Sequence, residues 1–144
     1  MRVFKTIYLT GAPASGKTTA SHELVKLISD IELWSYSDHL IRYIEETKNI
    51  ASSHESLREQ SSSVIAPKDI VEVDKLLTDF VQENRRLKHI IIDSHPVTKE
   101  EYGFRCTAFS VDQIRAIAPD EIWVIFATES FSVDRIIGSD RRTQ

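Results

Sequence analysis

Residues 3–18 read VFKTIYLTGAPASGKT. Val3 to Thr10 is rich in β-branched and aromatic residues and halts at Gly11, which is the profile of a strand. From Thr18 to Ile28 the apolar positions Leu24, Val25 and Ile28 share one face, which predicts a helix. Between them, Gly11-Ala12-Pro13-Ala14-Ser15-Gly16-Lys17-Thr18 satisfies every fixed position of the pattern G-x-x-x-x-G-K-[ST]. A strand, a tight glycine-bounded loop and a helix form the first unit of a parallel α/β sheet.

The rest of the chain repeats the alternation. Leu33 to Ser37 reads as a second strand, and Asp38 is placed to cap a helix carrying Leu40, Ile41 and Ile44. Pro67 suits a first helical position, and Ile70, Val73, Leu77, Phe80, Val81 and Leu87 follow at three- and four-residue spacing. His89 to Ser94 and Glu121 to Ala127 are apolar runs of the kind that form buried parallel strands. Ser110 and Gln113 make a capping box for a helix through Ile117, stopped before Pro119. Ser130 to Ile137 predicts a last short helix, ending at Gly138. The expectation is four strands and about six helices in one domain.

Composition bounds the function classes. The chain has 144 residues, 41% hydrophobic and 28% charged, with a net charge of −4. Its length suits a single domain. The composition excludes collagen-like, disordered and disulfide-scaffold classes. A pI near 5.7 argues against coating duplex DNA. The single cysteine, Cys106, forms no internal bridge and fits a reducing, cytoplasmic setting. The longest apolar run, Ile122 to Ala127, is far too short to span a membrane.

The loop carries the chemistry. Backbone N–H groups of Ala14, Ser15, Gly16, Lys17, Thr18 and Thr19 would converge on an anion, with the positive end of the following helix behind them. Lys17 is placed to reach the β- and γ-phosphates of a nucleotide, and the Thr18 hydroxyl to ligate Mg²⁺. Asp93 ends a strand, where ligands bind in open α/β sheets, and suits either Mg²⁺ through water or an attacking hydroxyl. Phosphoryl transfer also needs cations for its developing charge. Arg42, Arg58, Arg105, Arg135, Arg141 and Arg142 are the candidates, whereas Arg85, Arg86 and Lys88 read as a solvated helix end.

The order of this loop, Ser37-Asp38-His39-Leu40-Ile41-Arg42, Asp93-Ser94-His95, Tyr102-Gly103-Phe104-Arg105 and Asp134-Arg135 resembles the adenylate-kinase-like small P-loop kinases. It is most similar to the archaeal-type adenylate kinases and related bacterial ATP-binding proteins. The resemblance implies a three-layer αβα P-loop NTPase fold, with ATP and Mg²⁺ as cofactors and a small phosphorylated acceptor. It also implies an acceptor-binding helical region at about 38–66 and the start of a lid at about 135–144. Asp38 and Arg42 would hold the acceptor, Arg105 its phosphate, and His95 would touch substrate. Arg135 would match the arginine that opens the lid and, with Arg141, is a candidate catalytic residue, while Arg141 and Arg142 stand where lid arginines clamp the transferring phosphate. Ser37 stands where that group has glycine. Such kinases continue into a further strand and a C-terminal helix beyond the point reached at Gln144. A C-terminally truncated domain is therefore expected, with Glu121 to Ala127 as a sheet edge and a candidate homodimer contact. A kinase of another small molecule or of a polynucleotide end, and an ATPase module acting on a protein, stand as alternatives.

Overall fold

The computed structural model describes residues 4–12, 14–48, 65–95, 97–100, 103–106, 110–128 and 130. Strands β1 (Thr6–Gly11), β2 (Ile31–Ser35), β3 (His89–Asp93) and β6 (Glu121–Ile125) form one parallel sheet in the order β2-β3-β1-β6. Helices α1 (Lys17–Leu27), α2 (Tyr36–Lys48), α3 (Pro67–Asn84) and α4 (Val111–Ile117) connect and cover it.

The period-two alternation of the strands builds two cores. Ile7, Leu9 and Ile91 face one side, with Leu24 of α1 packed against them. Tyr8, Trp34, Ile90 and Ile92 face the other, against Leu77 and Val81 of α3 and Ile117 of α4. This is the expected three-layer α/β architecture. Leu40 and Ile44 of α2 pack on Val73 of α3 in a third cluster. Ile90, Ile91 and Ile92 are wholly buried because β3 is central and covered on both faces.

Several boundaries differ from the sequence expectation. The second strand lies two residues earlier, at Ile31–Ser35, and α2 starts directly at Tyr36. Asp38 is therefore inside the first turn instead of capping it, and its amide lies 3.4 Å from the Ser35 hydroxyl, which takes the capping place. Ile28 and Leu87, expected in the core, are exposed at helix ends. Ser110 caps α4 by accepting from the Gln113 amide at 3.0 Å, but the Gln113 side chain donates to the Asp74 carbonyl instead of closing the box. Pro67 opens α3 as expected.

A two-stranded antiparallel hairpin, β4 (Val97–Glu100) and β5 (Gly103–Cys106), follows β3 over a stretch to which the sequence reading assigns no element. Two four-residue runs separated by two residues were the available signal. Among the described residues β6 is an outer strand, in keeping with the edge expectation, but it is not buried. Ile122, Val124 and Phe126 are 55%, 63% and 85% exposed. No helix of the described residues is long and apolar enough to cross a membrane. The helix expected over 130–137 and the lid at about 135–144 lie outside the described residues, save Ser130, as does most of the 49–66 part of the acceptor region.

Candidate active site

The C-terminal ends of the parallel strands converge on the loop between β1 and α1. Parallel register sets Leu9 beside Asp93, Ser35 beside Asp93, and Gly11 beside Ile125. A turn bonded from the Ser15 amide to the Ala12 carbonyl, 3.2 Å, curls the chain back. Ala14 and Gly16 take left-handed backbone angles, φ 60° and 94°. That conformation aims successive amides inward, as an anion nest requires. Gly16 lets Lys17 begin the helix with its N-terminus facing the same space.

Lys17 is 3% exposed and its Nζ forms an ion pair with Asp93, itself 7% exposed. The same Nζ lies 3.2 Å from His95 Nε2. The Thr18 hydroxyl stands 3.5 Å from the second Asp93 oxygen. Lys17 and Thr18 of α1 therefore meet Asp93, the last residue of β3, and His95 just beyond it. A buried ammonium and carboxylate are tolerated only when paired, and here the pairing places them at the mouth of the phosphate loop.

The residues fit a nucleotide phosphate on two further counts. A Cβ added at Gly11 would lie 2.2 Å from the Ile125 carbonyl oxygen, so the loop's close approach to β6 demands glycine. The Ser15 hydroxyl is buried in the loop with no hydrogen-bond partner among the described residues. Thr18 and Asp93 also fit Mg²⁺, which takes few protein ligands and completes its octahedron with phosphates and water.

The remaining expected residues are less gathered. Thr19 is exposed on α1, and Asp38 and Arg42 are exposed on α2. Arg105 lies on β5, opposite Thr98. Arg58, Arg135, Arg141 and Arg142 lie outside the described residues.

Sequence reasoning missed a polar group behind the rim. The Tyr36 hydroxyl donates to Asp74 at 2.7 Å. Burial, with the Asp74 charge beside it, pushes the Tyr36 phenol well above its ordinary range. Burial also raises the Tyr8 phenol, against the opposing hydrogen bond to Ser94. Asp74 is raised by burial despite the Tyr36 bond. No motif marks these partners, because they come together only when α2 packs on α3.

Residues 10–144 match the AAA domain family, and the chain belongs to that family. The comparison with curated proteins gives no match. Among solved structures, a chain of the Pnkp1/Rnl/Hen1 complex aligns with a TM-score of 0.60 at 16% identity, over 94% of this chain and 40% of that one. Shikimate kinase from Acinetobacter baumannii, in complex with shikimate, aligns with a TM-score of 0.57 at 15% identity, over 98% of this chain and 66% of that one. The chain spans two fifths of the first structure's length and about two thirds of the second's. The fold they share with this chain is that of the small P-loop kinases.

Proposed function

We propose that the chain transfers the γ-phosphoryl group of ATP to a small phosphorylated acceptor, with a nucleoside monophosphate as the first candidate. The observation that carries this is the convergence of the buried Lys17–Asp93 pair and the Thr18 hydroxyl at the end of a glycine-bounded loop. Lys17 and the loop amides bind the β- and γ-phosphates. Thr18 and Asp93 would hold Mg²⁺, directly or through water, and the ion would supply neutralisation of phosphate charge. An acceptor oxygen attacks the γ-phosphorus, the bond to the β–γ bridging oxygen breaks, and ADP leaves. Such a transfer needs positioning and charge neutralisation more than covalent chemistry by the protein. Arg42 and Asp38 on α2 are assigned to the acceptor. Arg105, Arg135 and Arg141 are the further candidates for its phosphate and for the transferring group, and His95 steadies Lys17.

The alignment with a chain of an RNA repair complex, over 98% of this chain, favours one second reading in which the acceptor is an RNA end. The test is one assay. Mg²⁺-ATP is incubated with a panel of nucleoside monophosphates and a 5′-hydroxyl oligonucleotide, and ADP and each product are followed. Lys17→Ala is the blank. ADP release that depends on a nucleoside monophosphate and vanishes in the blank supports the proposal, whereas release that depends on the oligonucleotide supports the second reading. Slow hydrolysis indifferent to every acceptor refutes it and leaves an ATPase module.

A further inference from the structure

The junction of β2 and α2 carries a histidine with no part in the phosphate loop. His39 is half-buried, and its ring lies flat on Trp34, centroids 3.5 Å apart and planes at 9°. Its Nδ1 is 2.8 Å from the Ser35 carbonyl oxygen. A carbonyl only accepts, so Nδ1 carries a proton, and in that tautomer Nε2 is the ring's acceptor. Two contacts thus fix both the plane and the tautomer of the ring. The Ser35 bond is the ring's hydrogen bond among the described residues, and it leaves Nε2 unused.

The place of this ring gives it meaning. Ser35 is the register partner of Asp93 on the neighbouring strand, and parallel strands lie about 4.8 Å apart. Asp93 is the carboxylate that meets Lys17. His39 is therefore anchored one strand away from the phosphate loop, on the same edge of the sheet. On α2, Arg42 is three residues further along and so adjacent on the helix surface, and Asp38 immediately precedes His39.

We infer that His39 is a specificity-determining residue, whose Nε2 accepts a hydrogen bond from an O–H or N–H group on the body of the acceptor. The inference rests on the phosphoryl-transfer reading above. A lone pair repels a phosphate oxygen and welcomes a donor, so His39 reads the sugar or base while the cation Arg42 suits the phosphate. A site that hydrogen-bonds such a group discriminates against an analogue lacking it, because its own polar atom is then left unpaired.

Two substitutions separate recognition from mere support. His39→Asn keeps a donor near the Nδ1 position and loses Nε2, whereas His39→Gln keeps a polar atom near Nε2 and loses Nδ1. With AMP as acceptor, His39→Asn should raise the KM for AMP roughly tenfold, the loss of about one hydrogen bond, with the KM for ATP unchanged. His39→Gln should raise it less. The Asn deficit should disappear with 2′,3′-dideoxy-AMP if the donor is a sugar hydroxyl, and with inosine monophosphate if it is the exocyclic amine. A purely structural His39 gives the reverse order, Gln worse than Asn, with both substrates and the melting temperature affected. That order, equal KM values in all three proteins, or a deficit that persists with both analogues overturns the inference. Absence of AMP-dependent ADP release in the unaltered protein is a different result: the nucleotide-acceptor reading itself fails, and this inference with it.

Discussion

Asp93→Asn isolates what the buried ion pair does before any nucleotide arrives. Lys17 and Asp93 are 3% and 7% exposed, so their charges are shielded from water and depend on each other. Removing one partner of such a pair costs about 3–5 kcal/mol. The lower end applies here, because the asparagine carbonyl still accepts and His95 Nε2 remains 3.2 Å from the ammonium. For a chain of this size about 3 kcal/mol lowers the melting temperature by roughly 10 °C. Thermal unfolding by circular dichroism, without nucleotide or metal, reads this directly. The same melts with saturating ADP and a chelator supply the second half of the argument. In the unaltered protein the phosphates compete with Asp93 for Lys17. In Asp93→Asn they meet no competitor and provide the missing negative charge, so ADP should raise the variant's melting temperature by more than it raises that of the parent. Equal melting temperatures without ADP would refute the pairing as a source of stability, and equal ADP shifts would refute the competition.

Three further outcomes follow from particular contacts. Gly11→Ala puts a Cβ 2.2 Å from the Ile125 carbonyl and 3.1 Å from Ser15 Oγ, so β1 and β6 must part; overpacking of this kind costs about 1–3 kcal/mol, visible as a lower urea midpoint together with weaker ADP binding. Arg42→Ala removes an exposed side chain, so stability should hold within about 0.5 kcal/mol, while the acceptor's KM rises on the order of tenfold or more through loss of a charge-assisted bond to its phosphate. Asp69 is opposed by burial, but hydrogen bonds from Lys48 at 2.6 Å and from the Ala66 amide at 2.7 Å outweigh it and hold its carboxyl below the ordinary range. Its folded pKa is lower than its unfolded one, so it stabilises the fold above the unfolded value of 3.8 and loses that contribution as pH falls through the folded value. Asp69→Asn should therefore lower the urea midpoint at pH 7 and narrow the gap from the parent below about pH 4.

The phosphate loop was legible because its requirements are local. Glycines, a lysine and a hydroxyl at fixed offsets leave few backbones to choose from, and the flanking strand and helix can be checked by periodicity alone. Asp93 was legible for a similar reason, as the polar end of an apolar run. Burial was harder. Glu121–Ile125 reads as a covered strand because Ile, Trp and Val favour pleated backbone on either face, yet that preference says nothing about what covers them. The Ser35 cap was hidden by an ambiguity of two residues, since Ser35, Ser37 and Asp38 are all good caps and only the end of pairing with Asp93 selects among them. Tyr36–Asp74 could not be read at all: its partners are 38 residues apart, and the bond exists only because Leu40 and Ile44 press α2 onto Val73.

Strand β2 ends at Ser35 and α2 begins at Tyr36, with no residue between them. A connection of zero length has no slack, so the first turn of α2 moves as an extension of the sheet. The backbone that carries Asp38, His39 and Arg42 is thus ordered in advance, so its ordering adds no entropic cost to binding at this helix turn. Calorimetry should register that rigidity as a small entropic penalty for the acceptor's entry.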